Sequence, residues 1–447
     1  MFRLPKRKGH DSCLPIKNGN LFLTATAIFL VMGSSIHSQV VNSVEVRGAE
    51  FIPEEDIRLT CGAEAGVEYL DLELRAIEDC LMSTNAFETV DLYRENGETL
   101  VIDVQESNTR PGRIEGALSY ASQDGILAGV SYQQYNIFDR TYGAARLEFG
   151  AETQRYSARL YRTEVFDTSY DFGVEIVGGR DDYDDWGYTH RALRAEGYIV
   201  KDLSQTLKFE GGVGYREHRQ YDIEPGASAL LVKEQTDSIS APYLRFGLRY
   251  DSALKAQEGE LVWNSFSYGA RFDQHFWNIG SADLISDSRL EGYAQFPVAE
   301  NLRFLVKVSA GLVNGMKSNA TRTIDRFFVG ADTFRGFAPR GIGPRDGSET
   351  LGGNSYIKAS LELQQDLGMF LGTQFRGGAF LDTGSVWDLD DTLGGTIDDS
   401  FHRRTSIGLS MSFDLGNTPV SVYLAKPIES QPGDENQVFG LSLSTHF

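Results

Sequence analysis

One pattern fills the chain from residue 113 onward and constrains the fold more than any other feature. Strand-like segments recur there, and each has one apolar face and one face of small or polar residues. In Thr405–Leu415 every apolar residue occupies an odd position, and Phe439–Phe447 alternates in the same way. In Leu302–Leu312 the even positions are apolar. A period of two residues is that of a β-strand, so this part of the chain is predicted to be all-β.

Two architectures use such strands. A soluble sandwich turns the apolar face toward a core, whereas a membrane barrel turns it toward lipid and keeps charge in the lumen. The number of strands, the terminal aromatic residue and an export signal favour the barrel. The 47 Gly, 20 Tyr and 27 Phe residues suit short strands with aromatic belts. At roughly 20 residues per strand and connection, residues 112–447 predict an antiparallel transmembrane β-barrel of about 16 strands.

The first 38 residues have the features of a secretory signal peptide. Basic residues precede the apolar run Leu21–Met32, and small residues at Ser35–Ser38 offer a cleavage site. The alternative is an uncleaved anchor, for which the apolar run is short. Together with the barrel, this signal predicts a location in the outer membrane of a Gram-negative bacterium.

Residues 40–107 form a small α/β unit between the signal and the barrel. Val40–Val46 alternates like a strand, and Pro53–Arg58 has a proline and acids typical of a helix start. Leu70–Leu81 has a helical period. Two further strands then pair around an Asn-Gly turn in Glu95–Glu98. The predicted order is β-α-α-β-β, in a domain on the periplasmic side.

Cys61 and Cys80 both fall in this small unit. Because an exported protein reaches an oxidising compartment, a disulfide between them is reasonable. The alternative is two separate buried thiols.

A long loop at residues 317–353 interrupts the second half of the barrel. Its segment Asp332–Arg345 is rich in Gly and Arg, and a proline lies on either side of Arg340–Gly343. A loop of this length in a compact protein is usually functional or disordered, and the glycines and prolines here suit one defined path.

Four segments, in order, give the chain a resemblance to the BamA/TamA superfamily of outer-membrane assembly factors. They are Leu81–Val90, the loop residues Arg326–Gly330 with Phe334-Arg335-Gly336-Phe337, the strand Gly352–Leu363 and the strand Phe380–Trp387. The resemblance implies a single periplasmic POTRA module before a 16-stranded barrel. It also implies that the long loop is loop six of that family and folds inward, with Arg335 contacting acids on the inner wall.

The acids that match are Glu362 and Asp382, and the alternation independently turns both toward the lumen. If Ile357 and Leu361 face outward, Glu362 faces inward; Leu381 gives the same result for Asp382. A guanidinium fork suits such carboxylates. This network either braces the barrel or gates it directly, and the two roles overlap.

The resemblance implies a factor that inserts or translocates other proteins. Closing the barrel would pair a first strand containing Arg113 and Tyr120 with a last strand containing Gly440, Ser442 and Phe447. Small residues there would weaken the seam, which could then offer an edge to an incoming strand. Expected partners are unfolded outer-membrane or secreted proteins, the lipid bilayer, and a periplasmic chaperone or inner-membrane protein at the POTRA module.

Other functions fit less well. A secretion pore for one dedicated partner protein keeps the same fold, whereas a passive porin has no need of a POTRA module. Net charge of -21 argues against nucleic-acid binding. No His-Glu-x-x-His, Gly-x-Ser-x-Gly or Walker motif occurs, so neither an enzyme nor a cofactor is predicted. The acidic run Asp181–Trp186 could bind calcium, but such runs are usually solvated loops, and no metal is predicted.

Overall fold

The computed structural model describes residues 41–446 apart from short gaps. The gaps are residues 42, 50–51, 53, 64–68, 70, 85, 96–98, 107–111, 122–123, 139, 164, 166–168, 184–185, 205, 253–265, 318, 371–372 and 416–417. The predicted signal peptide and Phe447 lie outside the described residues. No helix among the residues described is long and apolar enough to cross a membrane.

The N-terminal unit has the predicted element order. It comprises β1 (Ser43–Arg47), α1 (Glu54–Thr60), α2 (Asp71–Ser83), β2 (Phe87–Glu95) and β3 (Thr99–Glu106). The sheet order is β1-β3-β2, with β1 parallel and β2 antiparallel to β3. This arrangement fits a POTRA-like module.

The core of this unit follows from the spacing of its apolar residues. In α2, Leu74, Ile77 and Leu81 recur at helical intervals and are buried against the sheet residues Leu100 and Ile102. A disulfide joins Cys61 and Cys80, and so ties the segment after α1 to α2.

Sixteen long strands form a closed antiparallel barrel. The first eleven are β4 (Gly112–Ala121), β5 (Gly125–Phe138), β6 (Thr141–Phe149), β7 (Thr153–Arg162), β8 (Tyr170–Asp181), β9 (Thr189–Ser204), β10 (Leu207–Tyr221), β11 (Thr236–Asp251), β12 (Ser267–Trp277), β13 (Ile285–Ala299) and β14 (Leu302–Gly315). Loop six follows and contains the short strands β15 (Gly336–Phe337), β16 (Arg345–Asp346) and β17 (Glu349–Thr350). The remaining five barrel strands are β18 (Ser355–Phe370), β19 (Thr373–Trp387), β20 (Arg404–Leu415), β21 (Thr418–Glu429) and β23 (Phe439–His446). The two-residue β22 (Asn436–Gln437) precedes β23 and pairs with β15, outside the wall.

The alternation seen in the sequence sets the two faces of the wall. On β20, Ile407, Leu409 and Met411 are exposed on the outside, whereas Ser406 is fully buried inside. Each strand of the wall has a neighbour on both sides, and the ladders satisfy the backbone groups of the paired residues, as lipid requires. The prediction of a membrane barrel of about 16 strands is confirmed.

The two ends of the barrel differ. We call the end that carries the long loops the outer end, and the end with the short turns and the N-terminal unit the inner end. Between β10 and β11 an outer loop forms α3 (Ala229–Glu234), and the Ser228 hydroxyl accepts a hydrogen bond from the Leu230 amide at 3.1 Å. Leu230 and Leu231 pack with Leu351 of loop six and Leu389 of the loop after β19. Loop six is thus held beneath other outer loops.

Candidate functional site

Loop six enters the lumen because two aromatic side chains of its Phe334–Phe337 motif are buried there. Phe334 is 1% and Phe337 0% exposed, with ring centroids 5.1 Å apart. Both pack with Ile342 of the same loop and Val386 of β19. This apolar contact places the intervening Arg335 against the inner wall.

Arg335 binds both acids that the sequence placed in the lumen. Its Nε and Nη2 donate to the two oxygens of Asp382, each at 2.9 Å, and its Nη1 donates to Glu362 Oε2 at 2.7 Å. Its backbone amide donates to Asp382 Oδ2 at 3.1 Å. The side chain of Asp382 is only 4% exposed, so this bidentate pair is largely shielded from water.

Neighbouring groups complete the hydrogen bonding of the three charges. Ser360 Oγ accepts from Arg335 Nη2 at 3.0 Å and donates to Asp382 at 2.6 Å. Ser410 donates to Glu362 at 2.7 Å. The guanidinium also lies 3.4 Å from the ring centroid of Phe380, a cation–π contact. A site with this many matched partners holds its arginine in one geometry.

Gly336 allows loop six to touch the wall. Its φ is +98°, in a region that favours glycine. A Cβ at this position would lie 2.8 Å from the Cβ of Ser406. The Ser406 hydroxyl donates to the carbonyl of Arg335, so the backbone of loop six lies directly against β20.

Loop six also pairs with the segment that leads into the last strand. Gly336 and Phe337 of β15 pair with Gln437 and Asn436 of β22. Two backbone bonds at Glu435 extend this contact, from the Ala338 amide at 2.8 Å and to the Gly341 carbonyl at 2.9 Å. The motif that carries Arg335 is therefore joined through the backbone to the start of β23.

A second anchor holds the outer part of loop six, and sequence reasoning missed it. The Arg326 side chain is fully buried and donates to Glu234 of α3. Glu234 also accepts from the amide and hydroxyl of Thr323, at 2.8 and 2.6 Å. The cap residue Ser228 before an apolar run was a signal for α3, but nothing in the sequence paired Glu234 with Arg326.

An exposed contact joins α3 to another outer loop. Lys233 donates to Asp391, in the loop after β19, at 2.5 Å. The hydrogen bond from Lys233 lowers the pKa of Asp391, since it favours the charged carboxylate.

The seam between the first and last strands is short. The ladder joins Ser442–His446 of β23 to Ala117–Ala121 of β4. By comparison, the ladder between β12 and β13 runs over all of Ser267–Trp277. Among the described residues, Gly112–Gly116 of β4 pair with β5 on one side but with no strand on the seam side.

The predicted seam residues do not all lie in this ladder. Tyr120 pairs with Leu443 and Ser442 with Ala121, so both lie in the seam. Arg113 lies on β4 beyond the ladder. Gly440 pairs with Tyr423 on β21, and a Cβ there would lie 2.1 Å from the Tyr423 ring, so this glycine makes room for an aromatic side chain.

The acidic run splits between a strand end and a loop. Asp181 ends β8 and accepts from Thr153 at 2.8 Å, while Asp182 accepts from Thr189 at 2.6 Å. Asp184 and Asp185 lie outside the described residues. Among the residues described, no group of three or more His, Cys, Asp or Glu side chains could hold a metal ion.

A closed 16-stranded barrel with a buried inner loop and a POTRA-like module defines a class of outer-membrane protein. Residues 136–447 match the model of the Omp85 superfamily domain. The chain belongs to this superfamily and lies in the outer membrane of a Gram-negative bacterium.

Individual relatives agree with this assignment. The chain is similar to the outer membrane protein assembly factor BamA of Neorickettsia risticii (strain Illinois), with 24% identity over 355 residues. That match covers 77% of this chain and 46% of the relative, so the chain spans about half the length of that protein.

Solved structures show the same fold. BamA from Haemophilus ducreyi lacking POTRA domains 1–3 superposes with a TM-score of 0.70 at 17% identity, covering 92% of this chain and 85% of that one. CdiB from Escherichia coli gives 0.52 at 11% identity, covering 93% and 92%.

Proposed function

We propose that the protein assembles other proteins into the outer membrane through the seam between β4 and β23. The short ladder of this seam is the observation that carries the proposal. Each ladder bond contributes only about 0.5–1.5 kcal/mol in water, but an unsatisfied group in lipid costs several kcal/mol. A strand that adds to the open seam would satisfy those groups.

The edge is the part of β4 that pairs with no described residue on the seam side. Gly112–Gly116 lie at the inner end, where an unfolded substrate would arrive from the periplasm. Ile114 in this segment is 73% exposed on the outer face. An unpaired strand edge is a template for β-augmentation, in which backbone bonds give affinity and alternate side chains give selectivity.

Loop six would control the last strand. Arg335 is fixed to β18 and β19, and the adjacent β15 is paired with β22 immediately before β23. A loop fixed at Arg335 therefore holds the outer end of β23 in place. The contact could brace the barrel or gate it. Bracing follows from the fixed position of Arg335, and gating would follow if release of Arg335 freed the start of the last strand.

The N-terminal unit would receive substrates. We assign residues 1–38 to a signal peptide, 40–107 to the POTRA module in the periplasm and 112–447 to the barrel. Strands β1 and β2 are the edges of the small sheet, and each offers unpaired backbone groups to a substrate, a chaperone or an inner-membrane protein. No catalytic step and no cofactor are part of this proposal.

A secretion pore for a dedicated partner is the alternative, because the barrel of CdiB has the same fold. A chain passing through the lumen would have to displace loop six. A lumenal cavity of about 500 Å³ lies beside Arg335, between Tyr293, Lys307 and Lys358, and the Lys358 ammonium donates to the Thr333 carbonyl at 3.3 Å. The pore function requires that these contacts break during transport.

A folding assay in liposomes tests the proposal. Purified protein is placed in bilayers, a urea-unfolded small outer-membrane barrel is added, and protease-resistant product is followed over time with a conductance trace. Faster folding than in empty liposomes, weakened by Arg335→Ala, is expected for an assembly factor. No acceleration together with steady conductance would reject it in favour of the pore.

A further inference from the structure

Three arginines lie side by side near the outer end of the barrel. Arg180 of β8 pairs in register with Arg191 of β9, and Arg191 pairs on its other side with Arg219 of β10. Residues opposite each other in a ladder share a face of the sheet. Adjacent strands are about 4.8 Å apart, so the three Cα positions span about 10 Å across the wall.

This row faces outward. Ile176 on β8, Ile199 on β9 and Val213 on β10 share its strand parity and are 43%, 41% and 62% exposed on the lipid side. Each arginine is within two residues of the outer end of its strand. The row is therefore placed at the level where the headgroups of the outer leaflet lie.

The positive charge of the row is only partly balanced. Arg180 donates to Asp182 at 2.5 Å. Arg219 lies 4.8 Å from the Tyr221 ring centroid, and its Nε is buried without a hydrogen-bond partner. Neither Arg191 nor Arg219 has an ion pair with the described part of the chain. Like charges directly opposite each other destabilise a sheet, and here they occur in a protein of net charge -21.

A groove of about 330 Å³ adjoins the row. Leu147, Phe149 and Tyr156 form its apolar part, and Gln154, Arg155, Arg180 and Arg191 form its polar part. The Tyr156 ring lies across Gly178, where a Cβ would approach the ring to 2.4 Å. An amphipathic molecule with a negative headgroup beside an apolar chain matches this combination of charge and surface.

We propose that Arg180, Arg191 and Arg219 bind the phosphate-bearing headgroup of an anionic outer-leaflet lipid, with one of its acyl chains in the groove. Guanidinium forks match phosphate oxygens bidentately, and each phosphate between two arginines would remove their repulsion. The groove favours a lipid over free phosphate, because free phosphate has no acyl chain to occupy the groove. This site is independent of the assembly function.

Lipid binding to the purified full-length protein tests the site. Dodecyl maltoside micelles are doped with phosphatidylglycerol, lipid A or zwitterionic phosphatidylcholine, and bound lipid is measured by native mass spectrometry; inorganic phosphate is a separate arm. Arg191→Gln is compared with Arg403→Gln, which removes one exposed outer-loop arginine paired with Glu429 at 2.8 Å. Arg191→Lys keeps the charge, and all variants are first checked for the heat-modifiable folded band.

We expect an anionic lipid to bind at least about tenfold more tightly than phosphatidylcholine, with Arg191→Gln weakening it about fivefold or more and Arg403→Gln leaving it unchanged. Arg191→Lys should retain most of the binding. Equal behaviour of the two glutamine variants, or no preference over phosphatidylcholine, would overturn the proposal. Inorganic phosphate binding as tightly as the lipid would also overturn it, since the row would then hold an adventitious ion only.

Discussion

The barrel wall is strongly connected at β18–β20 and weakly connected at its seam. On the first side, long ladders are reinforced by Arg335, which binds Asp382 and Glu362 from within. On the seam side, the ladder between β23 and β4 covers Ser442–His446 of the described residues. Because β22 links loop six to β23, the strong region positions the weak one. If the seam opens as proposed, the region beside it is the one that has to stay fixed.

Locking the seam should have the largest effect on assembly. Ser119 and Ser444 are register partners, so Ser119→Cys with Ser444→Cys would join β4 to β23. We expect oxidation to reduce the folding rate of a substrate barrel in liposomes at least about tenfold, and a reductant to restore it.

The matched control joins two strands that need not part. Ser412 and Ser421 are partners in the β20–β21 ladder, and Ser412→Cys with Ser421→Cys should leave the rate unchanged when oxidised. A seam lock that assembles substrates at the normal rate would remove the seam from the mechanism.

Arg335→Ala should have the second largest effect on assembly, because it leaves two shielded carboxylates without their cation. Breaking such a buried pair costs about 3–5 kcal/mol. We expect loop six to become protease-sensitive and assembly to slow. Arg335→Lys keeps the charge but loses the bidentate fork, and should be intermediate.

This substitution also separates bracing from gating. If Arg335 braces the barrel, Arg335→Ala lowers the temperature at which the heat-modifiable band is lost. If it also gates, assembly falls further in Arg335→Ala than in a wall variant that lowers that temperature by the same amount. Retention of both would show that the arginine serves neither role.

Gly336→Ala should weaken the contact between loop six and the wall by a smaller amount. The left-handed backbone alone costs an L-residue about 1–2 kcal/mol, and the close approach to Ser406 adds about 1–3 kcal/mol of overpacking. Gly347→Ala is the control, since Gly347 has φ +63° in the same loop with no atom near its Cβ position. Assembly rates that fall equally in both variants would rule out the close approach as the cause.

Glu234→Ala should affect assembly least, since it removes the outer anchor and leaves Arg335 in place. Arg326 would be buried without its carboxylate, so the outer loops should be cleaved faster in limited proteolysis. Lys233→Ala, which breaks only the exposed contact with Asp391, should not change cleavage. A loss of assembly as large as that of Arg335→Ala would mean that the outer anchor controls the seam as well.

The sequence predicted those parts of the molecule that depend on the alternation of side chains along a strand. Alternation alone turned Glu362 and Asp382 toward the lumen, where the structure places both with Arg335. It could not predict the partner of Arg326, because Glu234 is 92 residues away on a helix of another loop. Nor could it predict the length of the seam ladder or the arginine row, since both depend on register between strands, which a single strand's pattern does not contain.

The most direct test of the seam is a crosslink between β4 and a substrate caught during assembly. A photoreactive phenylalanine replaces Ile114, on the unpaired part of β4, or Leu160, which is 45% exposed on the outer face of β7. The account predicts that an unfolded substrate barrel crosslinks at position 114 and not at 160 during folding in liposomes. Equal crosslinking at both positions, or none at 114 while folding is accelerated, would contradict it.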